Sequence, residues 1–282
     1  MTLESNNGTT PVSSDEFFAA VRELRLAGRW ERALRLLEAA VPDGPAAHAR
    51  IARAAAEVAL EQDWFAGTDT AAERITDAEK AFPDGDWDVA FLRLRHTYGR
   101  LLLVDGSLLR GPDGKDPESL DALLRRAREL HDDAPDEVRR GWAAHYLGLI
   151  TDNHFADAAS ATAHYAAALR AGESGPDDLL AREALRHLGG QDHDAGAYDR
   201  ALDRWRRATA LGAGQGTVPG TLSQHLVLAV LARDTGDEAG ARALATEIVR
   251  WAEAIGATRL AAQATGFLAE AAPTTPPAED DN

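Results

Sequence analysis

Residues 195–211 read AGAYDRALDRWRRATAL, and the spacing within this stretch decides the fold. After Gly196 come an aromatic residue two positions on, alanine five on, a large residue nine on and alanine twelve on. These positions are Tyr198, Ala201, Trp205 and Ala208. Small residues let two helix backbones approach closely, and large residues fill the space between units. The spacing therefore predicts a pair of antiparallel helices joined by a tight turn at Gly196.

The same register occurs twice more along the chain. It is found in AGRWERALRLLEAAV at 27–41 and in TGDEAGARALATEI at 235–248, where the aligned residues are Gly28, Trp30, Ala33 and Ala40, and Gly236, Ala241 and Ala245. Clusters of Pro, Asp and Gly end one helix and cap the next at 42–45, 83–86, 111–117, 134–137, 175–178 and 217–220. We predict six helix pairs whose first helices begin near residues 15, 45, 85, 135, 176 and 217, followed by a single helix over 257–271 that caps the end of the array. No stretch alternates apolar and polar residues as a strand would, so the predicted class is all-α.

The three stretches resemble the tetratricopeptide repeat (TPR), and the resemblance covers about residues 15–256. The last two predicted intervals are longer than the 34-residue standard repeat, and they are similar to the longer helical repeats of the same superfamily. The resemblance implies a right-handed α-α superhelix, a TPR-like solenoid, with a concave groove lined mainly by the first helix of each pair. The bias toward Ala, Arg, Asp and Gly is similar to that of actinobacterial repeat proteins.

The repeats set the expected domain organisation. Because a repeat array shares one continuous core, we expect a single domain over 15–271. Residues 1–14 and the Pro-rich acidic tail 272–282 are predicted to be disordered. The segment 106–117 is the longest insertion, and we expect it to be a surface excursion. Pairs two to four show no clear Gly-x-aromatic turn.

Composition excludes several classes of function. The chain has 282 residues, 46 acidic against 30 basic, for a formal net charge of −16. That excess disfavours nucleic acid and anionic membrane surfaces, which need a basic face. The chain has no cysteine, which removes disulfides, thiolate metal sites and thiol nucleophiles. No apolar run reaches the ~20 residues of a membrane helix, and the N-terminus is not a signal peptide. We expect a cytoplasmic protein, and no cofactor is predicted.

Histidines recur in the predicted first helices and supply the candidate binding residues. His96, His145, His187 and His225 each lie in such a helix, and Arg95, Arg100 and Arg186 lie close to them in sequence. Imidazoles and guanidinium groups along one groove would suit an anionic or peptide ligand. The predicted ligand-binding residues are His96, Arg100, His145, Tyr146, His187 and His225.

A packing role is the alternative for these histidines. His187 lies nine residues before Gly196, whereas His225 lies eleven residues before Gly236. Because successive helical residues turn by ~100°, those two histidines cannot share an identical face. Trp142, three residues before His145, fits either the seam between helices or the groove. Two histidines on adjacent helices could meet at a metal ion, but four along a solenoid could not easily converge.

Two clusters near predicted turns add a catalytic alternative. Asp152 precedes His154, and Asp192 precedes His193, at the same place in consecutive repeats. In an acid–base site, His145 or His187 would act with Asp152 or Asp192, and His154 and His193 are the alternative metal ligands. Helix ends favour the same residues for capping and turns. The chain contains no HExxH, phosphate loop or nucleophile elbow.

Two functions remain after these exclusions. The favoured function is a protein- or ligand-binding scaffold that holds a peptide, a partner helix or a small anionic molecule in its groove. The alternative is an enzyme of specialised metabolism with a site inside the superhelix, which a closed pocket, a bound metal or shifted histidine pKa values would favour. A sensor role would act through another protein, since no DNA-binding unit is present. The Lys, Arg and Asn clamp that family members use for a peptide carboxylate has no counterpart here. The oligomeric state is not predicted.

Overall fold

The structure is a computed structural model, and it describes residues 13–104 and 107–270. The predicted disorder at both termini falls on residues that lie almost entirely outside this part. The first described residues are the exception, because Ser13 is the N-cap of the first helix. Its hydroxyl accepts a hydrogen bond from the amide of Glu16 at 3.2 Å, which is the expected start signal of a helix.

The described residues form thirteen helices, arranged as six pairs and a final single helix. Their bounds are α1 Ser14–Leu26, α2 Trp30–Glu38, α3 Gly44–Ala66, α4 Ala71–Ala81, α5 Trp87–Leu102, α6 Pro117–Asp132, α7 Glu137–Phe155, α8 Ala158–Ser174, α9 Asp178–Asp194, α10 Tyr198–Gly214, α11 Val218–Asp234, α12 Glu238–Ala254 and α13 Thr258–Ala269. The predicted pairing and the single last helix are confirmed. The pairs stack into a right-handed TPR-like solenoid.

Close approach of small and large residues holds each pair together. In the fifth pair, the indole of Trp205 lies against Gly189, where an added Cβ would sit 2.5 Å from Nε1. In the fourth pair, Tyr165 lies in the same way against Gly148. These large side chains are almost fully buried. The helices can therefore touch only because glycine occupies the facing position.

The fourth pair follows the repeat register although its sequence lacks the turn glycine. Ala156 adopts the left-handed conformation with φ 56°, the region that glycine occupies in the fifth pair at Gly196. The residues five, nine and twelve positions after it are all 0 % exposed, and they are Ala161, Tyr165 and Ala168. The weak sequence signal in this pair thus reflects two replacements at the turn, Ala156 for glycine and Ala158 for the aromatic residue, rather than a different packing.

A short hairpin interrupts the third pair. Strand β1 (Leu103–Val104) pairs with β2 (Ser107–Leu108) in antiparallel fashion, and Leu103 lies opposite Leu108. The segment that follows is held to the end of α7, because the Gly111 amide donates to the Asn153 carbonyl at 2.8 Å. Lys115 Nζ lies 2.8 Å from His154 Nδ1. The predicted excursion is exposed in part, but it also covers the end of a first helix.

The array closes on itself, which the sequence did not predict. Helix α13 was expected to cap a free end, yet it lies against α3. Arg259 Nη1 donates to the carbonyls of Asp63 and Trp64 at 2.7 and 2.9 Å, and the Thr258 hydroxyl donates to Ala66 at 2.5 Å. One buried cluster joins both ends, including Val21 and Trp30 with Leu260 and Ala264. The trough expected of an open solenoid is therefore enclosed at the sides. Within residues 13–104 and 107–270, no helix is both long and apolar enough to cross a membrane.

Candidate functional site

The space inside the array forms a central cavity of about 1720 Å³ that is partly open to solvent. Its wall is built from α1, α3, α5, α7, α9, α11 and α13, together with residues just before α7, α9 and α11 and the segments between the two helices of the second and third pairs. In the described part of the chain, none of the second helices α2, α4, α6, α8, α10 and α12 contributes to this wall. The prediction that the first helix of each pair lines the interior is confirmed.

An aromatic network forms the wall on α5 and α7. Tyr146 meets the rings of Phe91 and Tyr98 edge to face, with centroids 5.1 and 5.5 Å apart. Arg95 Nε donates to the Tyr146 hydroxyl at 3.3 Å. Trp142 Nε1 donates at 3.0 Å to the carboxylate of Asp177. Since Asp177 also caps α9, Trp142 links the wall to the start of the next repeat.

The most concentrated group of polar residues lies between α7 and α9. His145 on α7 and His187 on α9 have ring centroids 5.3 Å apart, and His187 stacks on Tyr165 at 5.0 Å. Glu183 lies one helical turn before His187, so both project from the same side of α9. One ligand atom from each of His145, Glu183 and His187 lies within 4.8 Å of the others. We refer to these three residues as the His–Glu–His cluster.

Burial and neighbouring charges fix the protonation of this cluster. Burial lowers the pKa of His145 to about 4, and burial, His145 and Arg186 together hold the pKa of His187 well below 6.5. Burial alone would raise the pKa of Glu183, but the charge of Arg182, its ion-pair partner, leads the opposing effects and brings that pKa to about 2. At neutral pH the cluster therefore consists of two neutral imidazoles and an ionised carboxylate.

Arginines on the cavity wall fall into two groups. Arg25 pairs with Glu61 at 2.5 Å, Arg139 pairs with Asp88 at 2.6 Å, and Arg182 pairs with Glu183. Arg100 also pairs, with Asp69 at 3.6 Å. The other wall arginines have no carboxylate oxygen of the described residues within 4.0 Å, and they are Arg22, Arg95, Arg110, Arg186 and Arg259. Among them, Arg95, Arg110 and Arg186 lie near enough to His145 or His187 to lower a histidine pKa, and we call these three the unpaired arginines. Arg186 donates to the Ser223 carbonyl at 3.0 Å and to Gln224 Oε1 at 3.3 Å.

Five of the six predicted binding residues line the cavity: His96, Arg100, His145, Tyr146 and His187. His225 is half-buried on α11 and lies outside the wall. The sequence placed Trp142 either in the seam between helices or in the groove, and its side chain lies on the cavity wall. Partial burial, together with the charges of Arg93 and Arg100, lowers the pKa of His96.

The catalytic alternative finds its two histidines in contact but not its carboxylates, and the alternative metal ligands His154 and His193 have different partners. The Asp152 carboxylate accepts a hydrogen bond from the Tyr165 hydroxyl at 3.2 Å, and Asp192 accepts from Arg200 at 2.9 Å. Neither carboxylate has an imidazole partner in the described part of the protein. His154 Nδ1 faces Lys115, whereas His193 Nε2 lies 2.8 Å from Asp234.

Sequence reasoning missed Glu183 and Arg110. Glu183 and His187 stand four residues apart on one helix, a spacing that places both side chains on one face. That spacing, with a histidine one repeat earlier, is a signal that could have found the cluster. Arg110 gives no such signal, because only the closure of the hairpin segment over α7 brings it to the cavity.

Comparisons with known proteins support the fold. No protein-family profile matches the chain, and no characterised protein matches it by sequence. A Rap protein complexed with Competence and Sporulation Factor is similar in structure, with a TM-score of 0.59 and 9% identity over 90% of this chain and 69% of that protein. Two other structures are less similar. Aspartyl phosphate phosphatase F from Bacillus subtilis has a TM-score of 0.46 and 12% identity, over 92% of this chain and 84% of that protein. A signal transduction ATPase with a tetratricopeptide repeat sensor from Pyrococcus horikoshii has a TM-score of 0.43 and 15% identity, over 92% of this chain and 40% of that protein. The chain thus has the fold of a TPR-like helical repeat protein.

Proposed function

We propose that this chain is a binding protein whose central cavity holds an acidic peptide or an acidic segment of a partner protein. The observation that carries the proposal is the set of unpaired arginines, Arg95, Arg110 and Arg186. All three lie near the His–Glu–His cluster, and none has a carboxylate oxygen of the described residues within 4.0 Å. A guanidinium group binds a carboxylate by two parallel hydrogen bonds. A ligand that brings carboxylates would supply the missing partners.

The size of the cavity favours a peptide over a small molecule. Sites for drug-sized ligands measure roughly 300–1,000 Å³, and this cavity is larger, at about 1720 Å³. Large apolar side chains are also exposed on its wall: Trp64, Val104 and Leu108 are 40, 44 and 48 % exposed. Exposed apolar residues next to a polar site mark places where a ligand docks. The best-matched ligand is therefore an extended segment that combines acidic and apolar residues.

The Rap protein of similar fold is complexed with Competence and Sporulation Factor. At 9% identity this likeness concerns the fold, and we extend a ligand-holding role to this chain only as part of the proposal. A cytoplasmic location, an actinobacterial origin and a single domain over 15–271 remain predictions from the sequence.

The test measures binding of fluorescein-labelled hexapeptides that contain glutamate and leucine, with glutamine-for-glutamate peptides as the matched probe. We expect the acidic peptides to bind at least about tenfold more tightly, since each charge-assisted hydrogen bond contributes about 1.5–3 kcal/mol. Arg186→Gln and Arg95→Gln should each weaken binding by a similar factor. The control is Arg206→Gln on the exposed side of α10, which should bind as the wild type does.

Two results would contradict the proposal: equal binding of acidic and neutral peptides, or the same loss in the Arg206 variant. A small anionic molecule would use the same arginines, so citrate alone is included as a probe. Tight citrate binding without peptide binding would replace the peptide by a small ligand.

The acid–base enzyme alternative has less support. It needs a carboxylate that orients an imidazole, and both candidate carboxylates are engaged elsewhere, Asp152 by Tyr165 and Asp192 by Arg200. The lowered histidine pKa values arise first from burial, which a binding protein shares with an enzyme.

A further inference from the structure

We propose that His145, Glu183 and His187 bind one divalent transition-metal ion, with Zn²⁺ as the best-matched species, on the wall of the central cavity. Two observations carry this proposal: the convergence of the three side chains from two helices, and the absence of other partners for the imidazoles. In the described residues this is the one group of three or more His, Asp or Glu side chains with metal-binding spacing. It is distinct from the predicted alternative ligands His154 and His193.

The donor set fits a zinc-like ion. Imidazole nitrogens and carboxylate oxygens bind Zn²⁺ at ~2.0–2.2 Å, so in a tetrahedral site neighbouring ligand atoms lie roughly 3.4 Å apart. The ligand atoms here already lie within 4.8 Å, and small side-chain rotations would close the difference.

The imidazole nitrogens of the cluster have no hydrogen-bond partner among the described residues. His145 is 2 % exposed, and its Nδ1 has no hydrogen-bond partner. Across residues 13–104 and 107–270, neither His145 nor His187 takes part in a hydrogen bond, although His154 and His193 both do. A buried imidazole with a purely structural role would usually have a hydrogen-bond partner, because an unsatisfied buried polar atom destabilises the fold. A metal ion would satisfy both rings at once.

The surrounding charge determines what else the site would take. Arg182 pairs with Glu183, and Arg186 lies beside the cluster, so a bare dication meets two nearby positive charges. An anionic group bound to the metal would offset that repulsion. With three protein ligands, one tetrahedral position stays open, and it faces a cavity lined by the unpaired arginines. We therefore assign the open position to a ligand carboxylate. This last step depends on the proposed function, whereas metal binding by the three residues does not.

The test titrates the full-length chain with ZnCl₂ by calorimetry and with CoCl₂ by visible absorption, both without peptide. We expect one equivalent of metal per chain and a Co²⁺ spectrum of four-coordinate type. His145→Gln, Glu183→Gln and His187→Gln should each weaken binding at least about tenfold, as loss of one ligand does. The control is His225→Gln, a half-buried histidine of α11 outside the wall, which should bind Zn²⁺ as the wild type does.

The other possible results of the titrations either overturn or support the metal site. No uptake at millimolar ZnCl₂, or uptake that all three variants retain, would overturn the proposal. Should a histidine variant fail to fold, Glu183→Gln decides, because Glu183 is partly exposed and its loss leaves no cavity. Adding the acidic hexapeptide tests the open position separately. A shift of the Co²⁺ spectrum would support the ligand carboxylate, and an unchanged spectrum would overturn that step while leaving the metal site intact.

Discussion

His145 and His187 meet across the seam between two consecutive repeats, with ring centroids 5.3 Å apart. His145 lies nine residues after Asp136, the N-cap of α7, and His187 lies ten residues after Asp177, the N-cap of α9. Because consecutive first helices lie side by side, residues at nearly equal distance from their caps come into contact. The repeat register thus joins two residues that are far apart in the chain, and this contact helps to lower the pKa of His187.

Acidification should destabilise the protein through its buried histidines. Burial lowers the pKa of His145 from 6.5 to about 4, and burial together with Lys115 does the same to His154. Between pH 6.5 and 4 the unfolded chain takes up protons that these two rings do not, so the free energy of unfolding falls as the pH falls. The stabilisation is fully present above pH 6.5, and each ring contributes about 3 kcal/mol to its loss.

The measurement is urea unfolding at pH 7.5 and pH 4.5. His145→Gln should reduce the difference between the two pH values, whereas His48→Gln, which changes an exposed histidine, should leave it as in the wild type. An unaltered difference in the His145 variant would show that this ring does not control the acid response.

Replacing each of two neighbouring glycines of α9 by alanine should change the free energy of unfolding in opposite directions. A Cβ on Gly189 would lie 2.5 Å from Trp205 Nε1, whereas one on Gly190 would meet nothing within 4 Å. We expect Gly189→Ala to lower the free energy of unfolding by about 1–3 kcal/mol through overpacking. Gly190→Ala should raise it by up to about 1 kcal/mol, because alanine is the better helix former.

Urea unfolding of the two variants checks this pair. Trp205 Nε1 also donates to the Arg186 carbonyl at 2.8 Å, so Gly189→Ala should in addition weaken binding of the acidic hexapeptide. Equal stability of both variants would mean that the seam between α9 and α10 tolerates an added methyl group.

Much of the fold follows from local sequence. The turn glycines and the small–large register predict the pairs, because each helix pair buries its own seam. The register also accounts for His225, which lies eight residues after its N-cap Thr217, whereas His96 lies ten after Asp86 and His187 ten after Asp177. Two positions turn the side chain by ~200°, away from the wall. The sequence argument that His187 and His225 face differently was correct.

Closure of the array could not be predicted in this way. Arg259 reaches the carbonyl of Asp63 across 196 residues, and no periodicity encodes that contact. It depends on the summed rotation of six pairs, in which small angular differences accumulate. The same holds for the central cavity, which exists only because the array closes. Its wall residues were predictable one helix at a time, but its enclosure, and the position of Arg110 on it, were not.

The closing contact should contribute measurably to stability. Arg259 donates to two carbonyls at the C-terminal end of α3, where a cation also meets the negative end of the helix dipole. We expect Arg259→Ala to lower the free energy of unfolding by about 1–3 kcal/mol. Arg250→Ala is the control, since Arg250 forms only an exposed pair with Glu247 and should cost less than about 0.5 kcal/mol. Thermal unfolding compares the two, and equal effects would show that closure adds no stability.

Removal of residues 257–282 should both destabilise the chain and promote association. Helix α13 contributes Leu260, Ala261 and Ala264 to the core that it shares with Val21 and Val58. Its loss would expose this apolar surface at the junction of the two ends, and exposed ends of repeat arrays associate. A loss of even 2 kcal/mol lowers the melting temperature of a chain of this size by about 5 °C.

The matched control for that deletion removes only residues 271–282, which lie outside the described part and leave α13 in place. We expect the control to melt as the full chain does and to elute as it does in size-exclusion chromatography. The longer deletion should melt at least about 5 °C lower and elute earlier with increasing concentration. Because Arg259, Leu260 and Gln263 also line the central cavity, the longer deletion should weaken binding of the acidic hexapeptide as well. An unchanged monomeric melt in the longer deletion would show that the ends of the array do not need each other, and the enclosed cavity would then lose its structural basis.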